Sequence, residues 1–292
     1  RTLVIKTVGR EASELGLDPS NFTQCLHTRR DGEQLRKLAD GAVRGHENLR
    51  GPLGPPGDIT AAHVEAVERQ THEAGAVPFV REFGRMQAIA RVRQGGEPEG
   101  RGHEIFISLD HMSRQLLPNV DIRADRDLFQ ELTQILDRVV LRSLAESRLV
   151  QGSVAINLNV ANLLSSDFER LAQRMYERDG AQLWVDVDLR DVLANLRDFR
   201  EAQLVLKRFK VRTMSDTTEP EVVPTAEQRD LGLDGYKFIC REDEEALRNI
   251  SYTVRLVHEA GRIPMLTRVE QESAIRAGHE LGIEHFQGFY IN

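Results

Sequence analysis

The sequence predicts a β/α barrel of about eight strands whose opening strand runs antiparallel to the next. Three observations lead there. Short apolar runs alternate with segments of helical period from about residue 84 to the C-terminus. The strand count suits a closed barrel, and no Gly-rich dinucleotide loop marks the crevice of an open doubly wound sheet. The first two runs are joined only by the polar, Gly-rich turn Gln94–Gly102, which predicts a hairpin and hence antiparallel pairing.

Met86–Val92 and Glu104–Leu109 are the strands of that hairpin. Leu128, Phe129, Leu132, Ile135, Leu136, Val139, Val140 and Leu144 then recur at helical spacing and define the longest helix, in which Asp137 and Arg138 are expected to pair. Val154–Leu158 is a strand, followed by a helix capped by Ser166 and Asp167 and running to about Arg178. Leu183–Val187 is a strand and Arg190–Glu201 a helix. Gln203–Leu206 reads as a buried strand that ends in Lys207 and Arg208. Residues 213–230, with Asp216, Glu219, Glu221, Glu227, Pro220 and Pro224, are expected to be irregular, exposed and mobile. Gly235–Ile239 is a strand, Asp243–Gly261 a helix, Ile263–Leu266 a strand, Glu270–Leu281 a helix, and His285–Ile291 the last strand. Trp184 and Phe209 are assigned to the core.

Ahead of the barrel, the string Gly-Pro-Leu-Gly-Pro-Pro-Gly-Asp at 51–58 cannot continue a helix or a central strand. We therefore divide the chain into residues 1–57, a linker or the end of an upstream domain with a helical stretch from Asp31 to Glu47, and 58–292, the barrel. Asp58 or Thr60 is expected to cap a helix to about Glu73 that packs on the barrel. The chain opens on Arg1, so a longer parent protein is expected.

With 292 residues, 40% hydrophobic and 29% charged, the composition is that of an ordinary globular protein. The net charge of −7 speaks against a binder of nucleic-acid polymers, though it leaves room for a local basic pocket. Cys25 and Cys240 are the two cysteines, too few and too far apart for a disulfide framework or a cysteine-rich zinc site, which points to a reducing, cytoplasmic setting. No run is long enough to span a bilayer and no signal peptide is present, so no membrane contact is expected within the fragment. The nine histidines include no zinc-binding spacing.

Several short motifs, in order, carry a resemblance. Met86-Gln87-Ala88-Ile89, His103-Glu104-Ile105-Phe106, Leu136-Asp137-Arg138-Val139-Val140-Leu141 and Ile156-Asn157-Leu158-Asn159 are followed by Val269-Glu270, Leu281-Gly282 and Phe286-Gln287-Gly288-Phe289. From about residue 84 to 292 the chain resembles an EAL domain, the bacterial cyclic-di-GMP phosphodiesterase module built on a modified β/α barrel. The resemblance implies a mouth at the strand ends where acidic residues and an Asn hold two metal ions. On that basis Glu104 and Asn157 match ligands, and Asp186 matches a ligand Glu with one methylene less. Leu189 stands where a second Glu is expected. The Asp-Asp-Phe-Gly element is matched to Lys207-Arg208-Phe209-Lys210, so both aspartates are replaced by cations. Lys237 is retained and the Asp of its motif lost. Leu266-Thr267-Arg268-Val269-Glu270 stands for Ala-Glu-Gly-Val-Glu, keeping the final Glu, and Ser108 replaces a substrate-contacting Arg.

Two cations in place of two aspartates would repel a divalent ion, since like charges roughly 4 Å apart near a surface repel by about 4 kcal/mol, and neither side chain offers an oxygen ligand. No metal and no other cofactor are therefore expected, and no catalytic residue is assigned. Gln87, Glu104, Asn157, Asp186, Lys207, Arg208, Lys237, Glu270 and Gln287 are the candidate ligand-binding residues. Two alternatives stay open for Lys207 and Arg208. They pair with Glu104 and Asp186 and fill the vacated metal site, or with Lys237 they grip a phosphate. The expected function is a catalytically inactive EAL-like signalling module that works through protein–protein contacts, with residual cyclic-di-GMP binding. The alternatives are a metal-independent cyclic-di-GMP receptor and an active phosphodiesterase. A protein partner and a homodimer are the expected assemblies.

Overall fold

The computed structural model describes residues 56–291 except 147–151, 179, 217–219, 229 and 241–243, and it leaves the side chains of 101, 228 and 244–249 undescribed. The expected Asp31–Glu47 helix, the Gly-Pro-rich stretch through Pro55, Cys25 and Glu219 lie outside the described residues. Parallel strands covered on both faces need near-continuous apolar runs, and Val154-Ala155-Ile156 and Leu183 with Val185 and Val187 supply them, all buried. Eight strands result: β1 (Gly84–Arg91), β2 (Glu99–Ile107), β3 (Ser153–Asn157), β4 (Gln182–Asp188), β5 (Arg212–Asp216), β6 (Gly235–Ile239), β7 (Ile263–Thr267) and β8 (His285–Gln287). They close into a barrel in the order β8-β1-β2-β3-β4-β5-β6-β7. β1 is antiparallel to both its neighbours, β2 and β8, and every other adjacent pair is parallel. The expected barrel and its antiparallel opening strand are both present.

The outer layer starts with α1 (Ala61–Ala74), whose N-cap Thr60 donates its backbone N–H to His63 Nδ1 at 3.1 Å, and α2 (Ala76–Phe83). After β2 come α3 (Leu109–Leu116) and the long α4 (Arg126–Glu146), which buries Leu132, Ile135, Leu136, Val139, Val140 and Leu144 as its period demands. α5 (Val160–Leu163) and α6 (Ser166–Tyr176) follow β3, and α7 (Leu189–Ala194) and α8 (Leu196–Arg208) follow β4. A 3₁₀ turn (Pro220–Val222) and α9 (Val223–Gln228) follow β5, α10 (Glu244–Glu259) follows β6, and α11 (Glu272–Glu280) follows β7. Gly57-Asp58 pairs in parallel with Val120-Asp121, which ties the lead-in to the barrel body.

Five expectations are corrected. Gln203–Leu206 is not a strand but the last part of α8: Phe199, Ala202, Gln203 and Leu206 are buried at helical spacing while Leu204 is 72% exposed. The strand that follows is β5, inside the stretch expected to be irregular, and Val223 and Ala226 of α9 are fully buried there. The cap of α6 is Ser165, whose hydroxyl accepts from Phe168 N–H. Asp137 and Arg138 do not pair. Asp137 accepts from the N–H groups of Asn159 and from Asn162 Nδ2, and Arg138 reaches Glu68 at 3.5 Å. Trp184 is only half-buried, with the Arg212 guanidinium over its ring at 5.9 Å, whereas Phe209 is buried.

Candidate functional site

Register brings the candidate side chains together at one end of the barrel. Gln87 of β1 lies opposite Glu104 of β2, Glu104 is in register with Ala155, and Asn157 of β3 is in register with Asp186 of β4. Because side chains alternate across a strand, these positions and Lys237 of β6 project to one interior. Gln287 closes the ring from the end of β8. Its neighbour Gly288 has φ 159, and a Cβ there would lie 2.3 Å from Val269 N and O. Only glycine lets β8 run this close to the chain after β7.

Lys237, 1% exposed, is the centre. Its Nζ donates to Asp186 Oδ2 at 2.6 Å and to Glu104 Oε2 at 3.1 Å. Glu104 also accepts from Asn157 Nδ2 at 2.7 Å and from Gln287 Nε2, which donates as well to Gln87 Oε1 at 3.0 Å. Six of the nine candidates, Gln87, Glu104, Asn157, Asp186, Lys237 and Gln287, thus form one hydrogen-bonded network.

The other three stand apart. Lys207 and Arg208 are exposed at the C-terminus of α8, where cations suit the helix dipole. Arg208 pairs with Glu169 at 3.3 Å and lies over the Phe209 ring. Neither alternative for Lys207 and Arg208 holds: they do not reach Glu104 or Asp186, whose ion pairs are made by Lys237 instead, and they do not join Lys237 at the mouth. Glu270 is exposed on the loop after β7, outside the network.

The residue missed is Asp216, which ends β5 in register with Asp188. A carboxylate therefore stands on the strand where cations had been placed, and the inversion of charge is not there. The apolar run Leu204-Val205-Leu206 drew the strand assignment away from Thr213-Met214-Ser215, which is less apolar though fully buried. The helical spacing of Phe199, Ala202 and Leu206 was the signal that places the strand correctly.

Burial alone would lower the Lys237 pKa, but the charges of Asp186, Glu104 and Asp216 push it well above the usual lysine range. Burial raises Asp186 to about 7; Lys237 opposes this, while Glu104 and Asp216 add to it. For Glu104, burial is outweighed by the Lys237 charge and by hydrogen bonds from Gln287, Lys237 and Asn157, which hold it below the carboxylate range. One ammonium faces several carboxylates, which favours the charged form of Lys237.

The fit to a metal pair can be judged from these contacts. Three buried acceptors, Asn157 Oδ1, Asp186 Oδ1 and Gln287 Oε1, have no partner, which a hard cation would favour. Against it, the Lys237 ammonium pairs with both Glu104 and Asp186, and Glu104 already accepts from three donors. Leu189 offers no oxygen, Thr267 spends its hydroxyl on Phe238 O, and Ser108 caps α3 by accepting from His111 N–H. Among the described residues no cluster of three or more His, Cys, Asp or Glu is arranged to hold a metal. The residues do not fit a two-metal centre. Arg268 keeps the left-handed φ of 59° that suits the glycine of the resembling motif.

Comparison with known structures agrees on the fold. The Vibrio cholerae LapD S helix-GGDEF-EAL protein bound to c-di-GMP superposes with TM-score 0.56 at 16% identity, covering 78% of this chain and 57% of that one. The FimX EAL domain from Pseudomonas aeruginosa bound to c-di-GMP gives 0.55 at 16% identity, covering 78% and 94%. The Klebsiella pneumoniae BlrP1 manganese/cy-diGMP complex gives 0.52 at 15% identity, covering 70% and 54%. No family model matches the sequence, and no curated protein does. The chain has the fold of an EAL domain. Among the described residues no helix is long and apolar enough to cross a membrane.

Proposed function

We propose that this chain is a catalytically silent EAL-type module of cyclic-di-GMP signalling that works through contacts with another protein. One observation carries the reading: where the resembling motifs place further carboxylates, Leu189 and Thr267 offer none, and Glu104 and Asp186 are already paired with Lys237. A two-metal phosphodiester hydrolase requires bridging carboxylates and an activated water, and the side chains at Leu189, Thr267 and Ser108 supply none of that. Incubating the protein with cyclic-di-GMP and Mn²⁺ or Mg²⁺ tests the silence: no linear product is expected, and turnover that disappears in Glu104→Gln would overturn it.

A second reading, cyclic-di-GMP binding without hydrolysis, is favoured by the same-fold LapD and FimX structures bound to that nucleotide. The aspartates around the mouth oppose a dianionic ligand in the absence of metal. Calorimetry with and without divalent ions separates the two readings: saturable heat without metal supports the receptor, and flat titrations leave the protein-contact module.

A further inference from the structure

We propose that the end of the barrel opposite the mouth docks an acidic segment of a partner protein. The inference rests on the protein-contact reading above and gives that contact a surface. Lys207, Arg208, Lys210 and Arg212 form it, four cations within six positions of a chain whose net charge is −7. All four are exposed. α8 leads from the end of β4 to the start of β5, and the two strands are parallel. Its C-terminus therefore carries these residues to the far end, away from Lys237 and its carboxylates.

A run of charge alone is a solvated surface, and two observations set this one apart. Three of the cations lie over aromatic rings: Arg208 over Phe209 at 4.9 Å, Lys210 over Tyr176 at 5.6 Å and Arg212 over Trp184 at 5.9 Å. The Tyr176 and Phe209 rings meet edge to face at 6.1 Å, which joins two of these pairs. A ring steadies a long cationic side chain and leaves its N–H donors open, so less ordering is left for an incoming carboxylate to impose. The second observation is the backbone of Lys210. Val211 N–H donates to Leu206 O at 2.8 Å and Lys210 N–H to Lys207 O at 3.2 Å, a helix ending that favours glycine at the position Lys210 holds. Lys210 adopts the left-handed φ of 51° there. An exposed side chain kept at a conformational cost points to a role outside the fold.

Competition from within the chain is slight. Lys207 and Lys210 have no carboxylate partner among the described residues. Arg208 meets Glu169 at 3.3 Å and Arg212 meets Asp234 at 3.0 Å, with both guanidinium groups exposed, and exposed pairs hold weakly. Charge and extent choose the occupant. A nucleic-acid polymer or an anionic bilayer reaches past the patch and meets the acidic remainder of the chain. A short acidic segment is felt over about 8 Å, the screening length at physiological salt, and stays within the patch. Clustered arginines and lysines are a recurrent means of holding acidic motifs.

The test is fluorescence anisotropy of a labelled peptide of alternating Glu and Ser, titrated with the intact protein at physiological salt. A Gln-Ser peptide, an oligothymidylate and phosphatidylserine vesicles are the comparison probes. Saturable binding of the Glu-Ser peptide alone is expected, weakened about tenfold when Lys207→Glu and Lys210→Glu are combined. Arg114→Glu combined with Arg276→Glu makes the same change of charge at exposed positions elsewhere and should leave the affinity unchanged. Lys210→Gly should weaken the peptide while raising the melting temperature, a pairing that a purely structural lysine would not give. Flat anisotropy, equal losses in the two charge-matched doubles, parental affinity in Lys210→Gly, or preference for the oligothymidylate or the vesicles would each overturn the proposal. Turnover of cyclic-di-GMP reads the other end of the barrel, so loss of the docking surface and loss of catalytic silence are told apart.

Discussion

Lys237 Nζ lies 2.6 Å from Asp186 Oδ2, while the other oxygen of the same carboxylate has no partner. The ion pair is buried and its surroundings are half-satisfied, which defines both its fragility and its chemistry. Removing one partner of a buried ion pair leaves an uncompensated charge and destabilises by about 3–5 kcal/mol. Lys237→Met should therefore lose stability of that order in urea denaturation. A loss below about 1 kcal/mol would show that Glu104 and Asp186 do not rely on this ammonium.

Acid conditions should stabilise the barrel. Asp186 is raised to about 7 and Asp137 to about 6, both above the usual carboxylate range, in each case chiefly by burial. The folded chain then binds more protons than the unfolded chain between about pH 4 and 7, so stability falls as pH rises through that window. The lowered Glu104 works in the opposite sense, losing its contribution only as pH falls below the ordinary glutamate value of 4.5. The urea midpoint should thus be higher at pH 5 than at pH 7.5. A midpoint that climbs over this interval would contradict the assignment.

Lys207→Glu and Arg208→Glu should change nothing at the barrel mouth. Both side chains are exposed on α8, and substitutions of that kind usually shift stability by no more than about 0.5 kcal/mol. Any ligand affinity measured at the mouth should be the same in both variants as in the parent. A tenfold change would return these residues to the site.

Backbone conformation near the last strands predicts two changes of opposite sign. Arg268→Gly should stabilise by about 1 kcal/mol, because a left-handed φ of 59° is strained for a side-chain-bearing residue. Gly288→Ala should destabilise by at least about 1–3 kcal/mol, because its Cβ would meet the Val269 backbone. Thermal unfolding of the pair reads both effects, and the same sign for both would refute the geometry.

Much of this was visible in the residues themselves. The apolar runs of β3, β4 and β6 stood out because parallel barrel strands are covered on both faces, and the Gln94–Gly102 turn disclosed the antiparallel start. Gln87, Glu104, Asn157, Asp186, Lys237 and Gln287 were found one by one through the motifs that hold them. Their shared network was not visible, because it depends on register across separate strands. Asp216 was hidden for a different reason: β5 carries Thr213 and Ser215 at fully buried positions, so its composition looks like a loop. The apolar half-turn at the end of α8 outscored it. With that one shift, the inference of catalytic silence moves from cations at 207 and 208 to the carboxylates missing at Leu189 and Thr267.

Counting bound Mn²⁺ by electron paramagnetic resonance tests that inference most directly. With no carboxylate at Leu189 or Thr267, and with Glu104 and Asp186 paired to Lys237, the signal of the free ion should persist undiminished as protein is added at micromolar metal. Loss of the signal with a stoichiometry of two ions per chain, abolished by Glu104→Gln, would contradict it.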